Sequence, residues 1–246
     1  MWLITTDPSP NHNDACQLHE EHTGHWLTNL TEYSKWKAGS LRFLWLHGIP
    51  GACKTVLLSY IAEDVKEFCQ RNEDEVTGWA YYYCYFARDQ DETHHFLRWI
   101  ISQLCRQVGD LSSEVRRLFR TGRQPTTSEL LDTLDSVTKD FSRVYVTIDA
   151  LDESMNREEI LGLLCTVVED ERFNRVQLLV TSRKELNIER ALSNIGADIS
   201  LSNRYVDADI RTYATSRLRK ESKFSRWPET LKEEIELGLV KGAKGM

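Results

Sequence analysis

From residue 41 onward, short apolar runs rich in β-branched and aromatic residues alternate with longer stretches whose apolar positions recur every three to four residues. That alternation predicts an α/β protein with a parallel sheet covered by helices on both faces. The strands it predicts are Arg42 to His47, Gly78 to Phe86, Arg143 to Ile148, Val176 to Thr181 and Asp198 to Ser202. Between them, Leu58, Ile61, Val65 and Phe68 share one helical face, as do Phe96, Ile100 and Leu104, and then Leu130, Leu134 and Val137. Asp207 precedes a helical stretch through Ile210, Tyr213, Ala214 and Leu218, and Trp227-Pro228-Glu229 opens another toward Val240. Residues 1–24 are polar, with Pro8 and Pro10 among several Asn and His, and predict an extended arm or linker. The chain thus divides into an N-terminal arm and helix (1–40), an α/β core (41–205) and a helical C-terminal segment (206–246). It stops at Lys244-Gly245-Met246, directly after a predicted helix, which suggests a fragment of a longer polypeptide.

Composition narrows the class. At 246 residues the chain is long enough to bury roughly 70 to 75% of its unfolded surface. Its 41% hydrophobic and 28% charged residues exclude disordered and low-complexity classes. A net charge of −7 has the wrong sign for a protein that gains affinity by neutralising duplex phosphates, so no nucleic-acid partner is expected. The longest apolar runs, such as Trp79 to Ala87, fall far short of the ~20 residues that span a bilayer, and Met1 to Thr6 lacks the layout of a signal peptide. No membrane partner and a cytoplasmic location are the expectations. The six cysteines include no CxxC pair and predict reduced thiols rather than a disulfide framework or a zinc knuckle.

The strongest chemical signal follows the first strand. Gly48-Ile49-Pro50-Gly51-Ala52-Cys53-Lys54-Thr55, with Val56 behind it, opens a helical period. A strand, a glycine-rich turn and a helix N-terminus form a phosphate cradle, because backbone N–H groups and the helix dipole point at the anion. Lys54 would contact the β- and γ-phosphates and the Thr55 hydroxyl would hold Mg²⁺. The run matches GxxxxGK[ST] except that Cys53 replaces the last glycine. A Cβ at a position needing positive φ costs on the order of 1 to 2 kcal/mol, enough to weaken nucleotide binding about tenfold.

Two further strand ends carry chemistry. Val144 to Ile148 delivers Asp149-Ala150-Leu151-Asp152-Glu153 at its C-terminal end, where ligands of parallel sheets bind. Asp149 would hold Mg²⁺ through water, and Glu153 or Asp152 would orient the water that attacks the γ-phosphate. Val176 to Val180 ends in Thr181-Ser182-Arg183, whose arginine would sense that phosphate. The plainer alternatives are a solvated acidic turn and a surface arginine paired with a carboxylate.

Gly48 to Thr55, the Asp149 to Glu153 block and Thr181-Ser182-Arg183 resemble the NACHT nucleotide-binding domain of signal-transduction (STAND) ATPases. Trp2-Leu3, Asp7-Pro8-Ser9, Thr23-Gly24-His25-Trp26-Leu27, Tyr81-Tyr82-Tyr83-Cys84 and Asp209-Ile210-Arg211-Thr212-Tyr213 look like fungal members with a nephrocystin-3-like N-terminal segment. The resemblance implies a P-loop NTPase three-layer α/β/α sandwich. Its five-stranded parallel sheet would have the sensor strand between the phosphate-loop strand and the Asp149 strand. It also implies a switch that binds ATP or GTP with Mg²⁺, hydrolyses slowly, self-associates, and relays a signal to effector and ankyrin-repeat domains of a longer polypeptide. The alternative is a degenerate module, a scaffold or gene fragment in which Cys53 has removed useful nucleotide turnover. A translation-factor-type GTPase is disfavoured by the absence of NKxD, and a metabolic kinase by the carboxylate beside Asp152.

Other features carry plainer expectations. Adjacent residues on a helix point about 100° apart, so His94-His95 is not expected to be a metal pair. The aromatic run Trp79 to Phe86 is expected in the core. Trp26, Tyr33 and Trp36 would lie near the nucleotide base or pack the arm on the sheet. Glu233, Glu234, Glu236 and Arg116-Arg117 are expected on solvated faces.

Overall fold

The computed structural model describes residues 3, 6–71, 75–85, 92–109 and 111–243. An N-terminal arm of three helices, α1 (Ser9–Leu18), α2 (His25–Thr28) and α3 (Thr31–Lys37), leads into strand β1 (Phe43–His47) and helix α4 (Lys54–Arg71). Then follow β2 (Thr77–Tyr83), α5 (Glu92–Val108), α6 (Ser113–Thr121), α7 (Thr127–Thr138) and β3 (Arg143–Asp149). The core closes with α8 (Arg157–Glu169), β4 (Val176–Ser182), α9 (Leu186–Leu192) and β5 (Ala197–Ser200), before α10 (Arg204–Lys220) and α11 (Glu229–Ala243).

All five strands are parallel, in the order β2-β3-β4-β1-β5. Strand β4 therefore lies between β1 and β3, the order the resemblance implies. Register sets the strand ends level, with His47 opposite Ser182, Ile148 opposite Val180 and Tyr83 opposite Asp149. The predicted strands match to within a few residues; Phe86, assigned to the second, lies outside the described residues, as does Trp2.

Alternation along the strands feeds two cores. Phe43 and Trp45, Val144 and Val146, and Leu178 and Val180 pack with Leu97, Ile100, Leu104, Leu134 and Leu164 on one face. Leu44, Leu46, Tyr145 and Leu179 pack with Leu58, Ile61, Val65, Tyr33 and Trp36 on the other. Burial on both faces explains why the strands read as continuous apolar runs, and each fully buried large side chain contributes roughly 1.5 to 3 kcal/mol.

The arm differs from the expectation of an extended linker. Residues 9–18 are helical. Pro8, which reads as a breaker, is the N-cap, and Pro10 sits in the first turn, where a missing N–H costs nothing; Asp7 Oδ1 accepts the Ser9 N–H at 2.9 Å. His12 and Ala15 are buried, and α1 packs on α4. Tyr33 and Trp36 are also buried, and the Trp36 indole donates to the Leu178 carbonyl at 2.9 Å. Helix α10 begins earlier than Asp207 because Asn203 Oδ1 accepts the Tyr205 and Val206 N–H groups. No helix among the described residues is long and apolar enough to cross a membrane.

Candidate functional site

The C-terminal ends of β3, β4 and β1 lie side by side, so the three loops singled out in the sequence share one edge of the sheet. After β1, Gly48 is buried against Leu201 and Ala52, where an added Cβ would come within 3.0 Å of the Leu201 Cβ. Gly51 has φ +83° and Cys53 φ +51°. The positive φ anticipated for a glycine here is adopted by a cysteine, at the steric cost that left-handed backbone imposes on a Cβ. Burial raises the Cys53 thiol pKa, although the residue retains solvent exposure. Lys54 begins α4, and its Nζ donates to the Gly48 and Ile49 carbonyls at 3.0 and 2.9 Å. Burial lowers its pKa, while Asp152 and Asp149 favour its charged form.

Asp149, at the end of β3, is almost wholly buried. Its Oδ1 accepts the Thr181 hydroxyl at 2.6 Å, and the nearby Thr55 hydroxyl also favours its charged form. Burial pushes its carboxyl up to about 6 in spite of those bonds, and the neighbouring Glu153 charge adds to the rise. Thr181 also accepts the Ala150 N–H at 3.1 Å, fixing a turn in which Ala150 itself has φ +54°. The structure thus sets Thr55 of the first loop near Asp149 of the second, and Thr181 of the third braces Asp149 and its turn.

Asp152 and Arg183 are also brought together. Asp152 Oδ1 accepts the Arg183 N–H at 2.9 Å and Oδ2 lies 3.0 Å from Arg183 Nε. Arg157 donates to the Asp152 carbonyl and pairs with Glu185 at 2.5 Å, fixing the turn from below. Glu153 is half-buried at the same turn.

A wall that the sequence marked only through Trp26 faces the loop. Asp209 Oδ2 accepts both the Gly24 N–H at 2.8 Å and the Trp26 indole N–H at 3.0 Å, latching the arm to α10. Gly24, at φ +81°, supplies the turn that aims its N–H there. Trp26 stacks on Tyr205 at 5.6 Å between ring centroids, and Glu20 accepts from Ser216 and Lys220. These contacts enclose a cavity of about 380 Å³, lined by Leu18, Trp26, Cys53, Val56, Asp209 and Tyr213 among others. Trp26 therefore reaches the site, whereas Tyr33 and Trp36 serve packing. A larger open cleft of about 600 Å³, between α5, α6 and α7, shares no residue with it.

The remaining expectations concern packing. Tyr82 and Tyr83 are core residues, but Trp79 and Tyr81 are half-buried and Tyr85 is exposed, because β2 is an edge strand. His95 bonds Thr6 and His94 bonds Thr127. Arg117 pairs with Glu114 on the surface, and Glu233 and Glu234 are exposed. All six cysteines are free.

A β1–loop–α4 cradle on this sheet order defines a P-loop NTPase fold. The chain belongs to the family described as "Nephrocystin 3, N-terminal", whose sequence profile matches residues 22–183. No curated protein sequence matches it. Among solved structures it is similar to the Aeropyrum pernix ORC2 protein, determined as ADPNP–ADP complexes. The identity is 17% and the TM-score 0.55, covering 90% of this chain and 57% of that one. It is also similar to Drosophila ORC bound to DNA, with 16% identity and a TM-score of 0.50, covering 97% of this chain and 57% of that one. The chain thus spans little more than half the length of these proteins, and the likeness is one of fold.

Proposed function

We propose that the chain is a Mg-nucleotide-binding module of NACHT (STAND) type, taking ATP or GTP and acting as a slowly hydrolysing switch. One observation carries this reading: Thr55, beside Lys54 in the first loop, lies near enough to the buried Asp149 carboxylate, across β4, to favour its charged form. Residues Gly48 to Val56 would wrap the phosphates, with Lys54 turning from its own loop carbonyls to the β- and γ-phosphates. A hydroxyl and a carboxylate are hard oxygen donors, the set Mg²⁺ prefers, so Thr55 and Asp149 would hold it. Bound there, Mg²⁺ would neutralise charge on the phosphates. The cavity beside Cys53 and Val56 would take the nucleoside, with Trp26 and Tyr213 as its aromatic walls.

Glu153 is the residue proposed to orient water. Asp152 is engaged by Arg183, and that ion pair would have to open for Arg183 to reach a γ-phosphate, which favours slow turnover. The proposed organisation is an arm (1–40), a nucleotide core (41–205) and a helical segment (206–246). Self-association, effector and ankyrin-repeat domains in a longer polypeptide, and a cytoplasmic location with neither membrane nor nucleic acid as partner, belong to the same proposal. The ORC structure bound to DNA shares the fold, but a net charge of −7 argues against a phosphate-backbone grip here.

The second reading, a scaffold without useful turnover, draws on Cys53 at φ +51°. Titration with fluorescent ATP and GTP analogues plus Mg²⁺ separates the two. The switch reading expects saturable binding that Lys54→Ala weakens by about a hundredfold or more, whereas the scaffold reading expects none at millimolar nucleotide.

A further inference from the structure

Away from the phosphate loop, three side chains with metal-ligating atoms meet between α1 and α4. His12 and Cys16 stand one turn apart on α1, and Glu63 faces them from α4. His12 Nε2 lies 2.9 Å from Glu63 Oε1 and 3.5 Å from Cys16 Sγ, and all three ligand atoms fall within 4.8 Å of one another. In a tetrahedral site with Zn–N and Zn–O near 2.0 to 2.2 Å and Zn–S near 2.3 Å, neighbouring ligand atoms are about 3.3 to 3.6 Å apart. The imidazole–thiol spacing already has that value. Glu63 would withdraw from His12 by a few tenths of an ångström as a metal replaces its hydrogen bond, and the Cys16–Glu63 edge, within 4.8 Å, would settle near about 3.6 Å.

The surroundings fit as well. The His12 ring stacks on Tyr81 at 4.2 Å, and its Nδ1 lies 2.9 Å from Tyr83 Oη. With Nδ1–H donating to that phenol oxygen, the Nε2 lone pair points between Cys16 and Glu63, the outer-shell arrangement that orients metal-binding histidines. Lys66 Nζ donates to Glu63 Oε2 at 2.8 Å and to Oε1 at 3.1 Å, which fixes the carboxylate with Oε1 shared between Lys66 and His12. The Glu63 side chain is 38% exposed, so solvent can supply a fourth ligand.

We propose that His12, Cys16 and Glu63 form a binding site for a thiophilic divalent metal of the Zn²⁺ type. Imidazole and thiolate are poor partners for Mg²⁺ or Ca²⁺, so this site is chemically distinct from the Thr55–Asp149 pair. Binding converts the Cys16 S–H into an S–metal bond and releases its proton to solvent. Thiolate and carboxylate together neutralise the dication. The metal would staple α1 to α4. Because Leu18, His19 and Glu20 follow directly and line the cavity beside Cys53, it would also steady that wall.

The test is titration of the metal-free full chain with Co²⁺, followed by competition with Zn²⁺. The expected result is one Co²⁺ per chain, a near-ultraviolet thiolate-to-cobalt charge-transfer band, and displacement by Zn²⁺. Cys16→Ser should remove the band and Glu63→Gln should weaken binding by about tenfold or more. Circular dichroism establishes that both variants remain folded. In the wild-type chain, Zn²⁺ should protect Cys16 from alkylation and leave Cys53 reactive, a readout independent of any variant. Absence of stoichiometric metal, a band that survives Cys16→Ser, or unchanged Cys16 alkylation would overturn the proposal and leave a buried His–Glu hydrogen bond beside a bystander thiol.

Discussion

The phosphate wall and the arm wall of the candidate site are made from different kinds of contact. Gly48 to Thr55 is continuous chain, and the loops that join it come from adjacent strands whose ends the register holds level. The arm wall instead depends on Gly24 and Trp26 meeting Asp209, which is 185 and 183 residues away. Its ordering entropy is offset by a few hydrogen bonds, ring stacks on Tyr60 and Tyr205 and a small apolar cluster rather than by a sheet. A strand-end site is therefore as stable as the core, whereas the arm wall can open locally at lower cost.

The largest expected effect tests that dependence. Asp209→Ala leaves the Gly24 and Trp26 N–H groups without their acceptor and should cost about 2 to 3 kcal/mol in urea denaturation. Nucleotide affinity should fall with it while the Thr55–Asp149 pair stays intact. A change below about 0.5 kcal/mol would show that the latch does not hold the arm.

An effect of opposite sign is expected on the phosphate wall. The Asp149 carboxyl, raised to about 6 when folded, lies above its unfolded value near 3.9. The folded state therefore holds this proton more tightly. The resulting stability is fully present below about pH 4 and is lost as pH rises through about 6, leaving an ionised group that costs about 2 to 3 kcal/mol at pH 7. Asp149→Asn should stabilise the nucleotide-free chain by about that amount at pH 7 and by little at pH 4, while removing Mg-dependent nucleotide binding. Denaturation curves at the two pH values check the sign.

The smallest expected change in stability is at Cys53. Replacing it with glycine relieves left-handed strain but adds unfolded-state entropy, so stability should move by less than about 1 kcal/mol. Nucleotide affinity should rise by about tenfold, measured by the same fluorescent titration. An unchanged affinity would mean that the Cβ neither strains nor crowds the phosphate position.

The same contrast explains what was legible in the sequence. The five strands, the phosphate loop and the Asp149 block are contiguous patterns whose spacing carries their geometry. Positive φ at Cys53 followed from the motif, but at Ala150 it did not, because nothing local marks a turn braced by Thr181. Helix α1 was hidden by Pro8 and Pro10, which signal a break inside a helix but suit its N-cap and first turn. Asp209 and the His12–Cys16–Glu63 cluster escaped because their partners are distant in sequence. A His and a Cys four residues apart become informative only once α4 is beside them.

Hydrogen exchange with and without Mg-nucleotide tests most directly the claim that both walls form one site. The account predicts protection on binding at residues 48–56 and, in the same experiment, at 18–26 and 205–213. Protection confined to residues 48–56, with the arm and α10 unchanged, would contradict it.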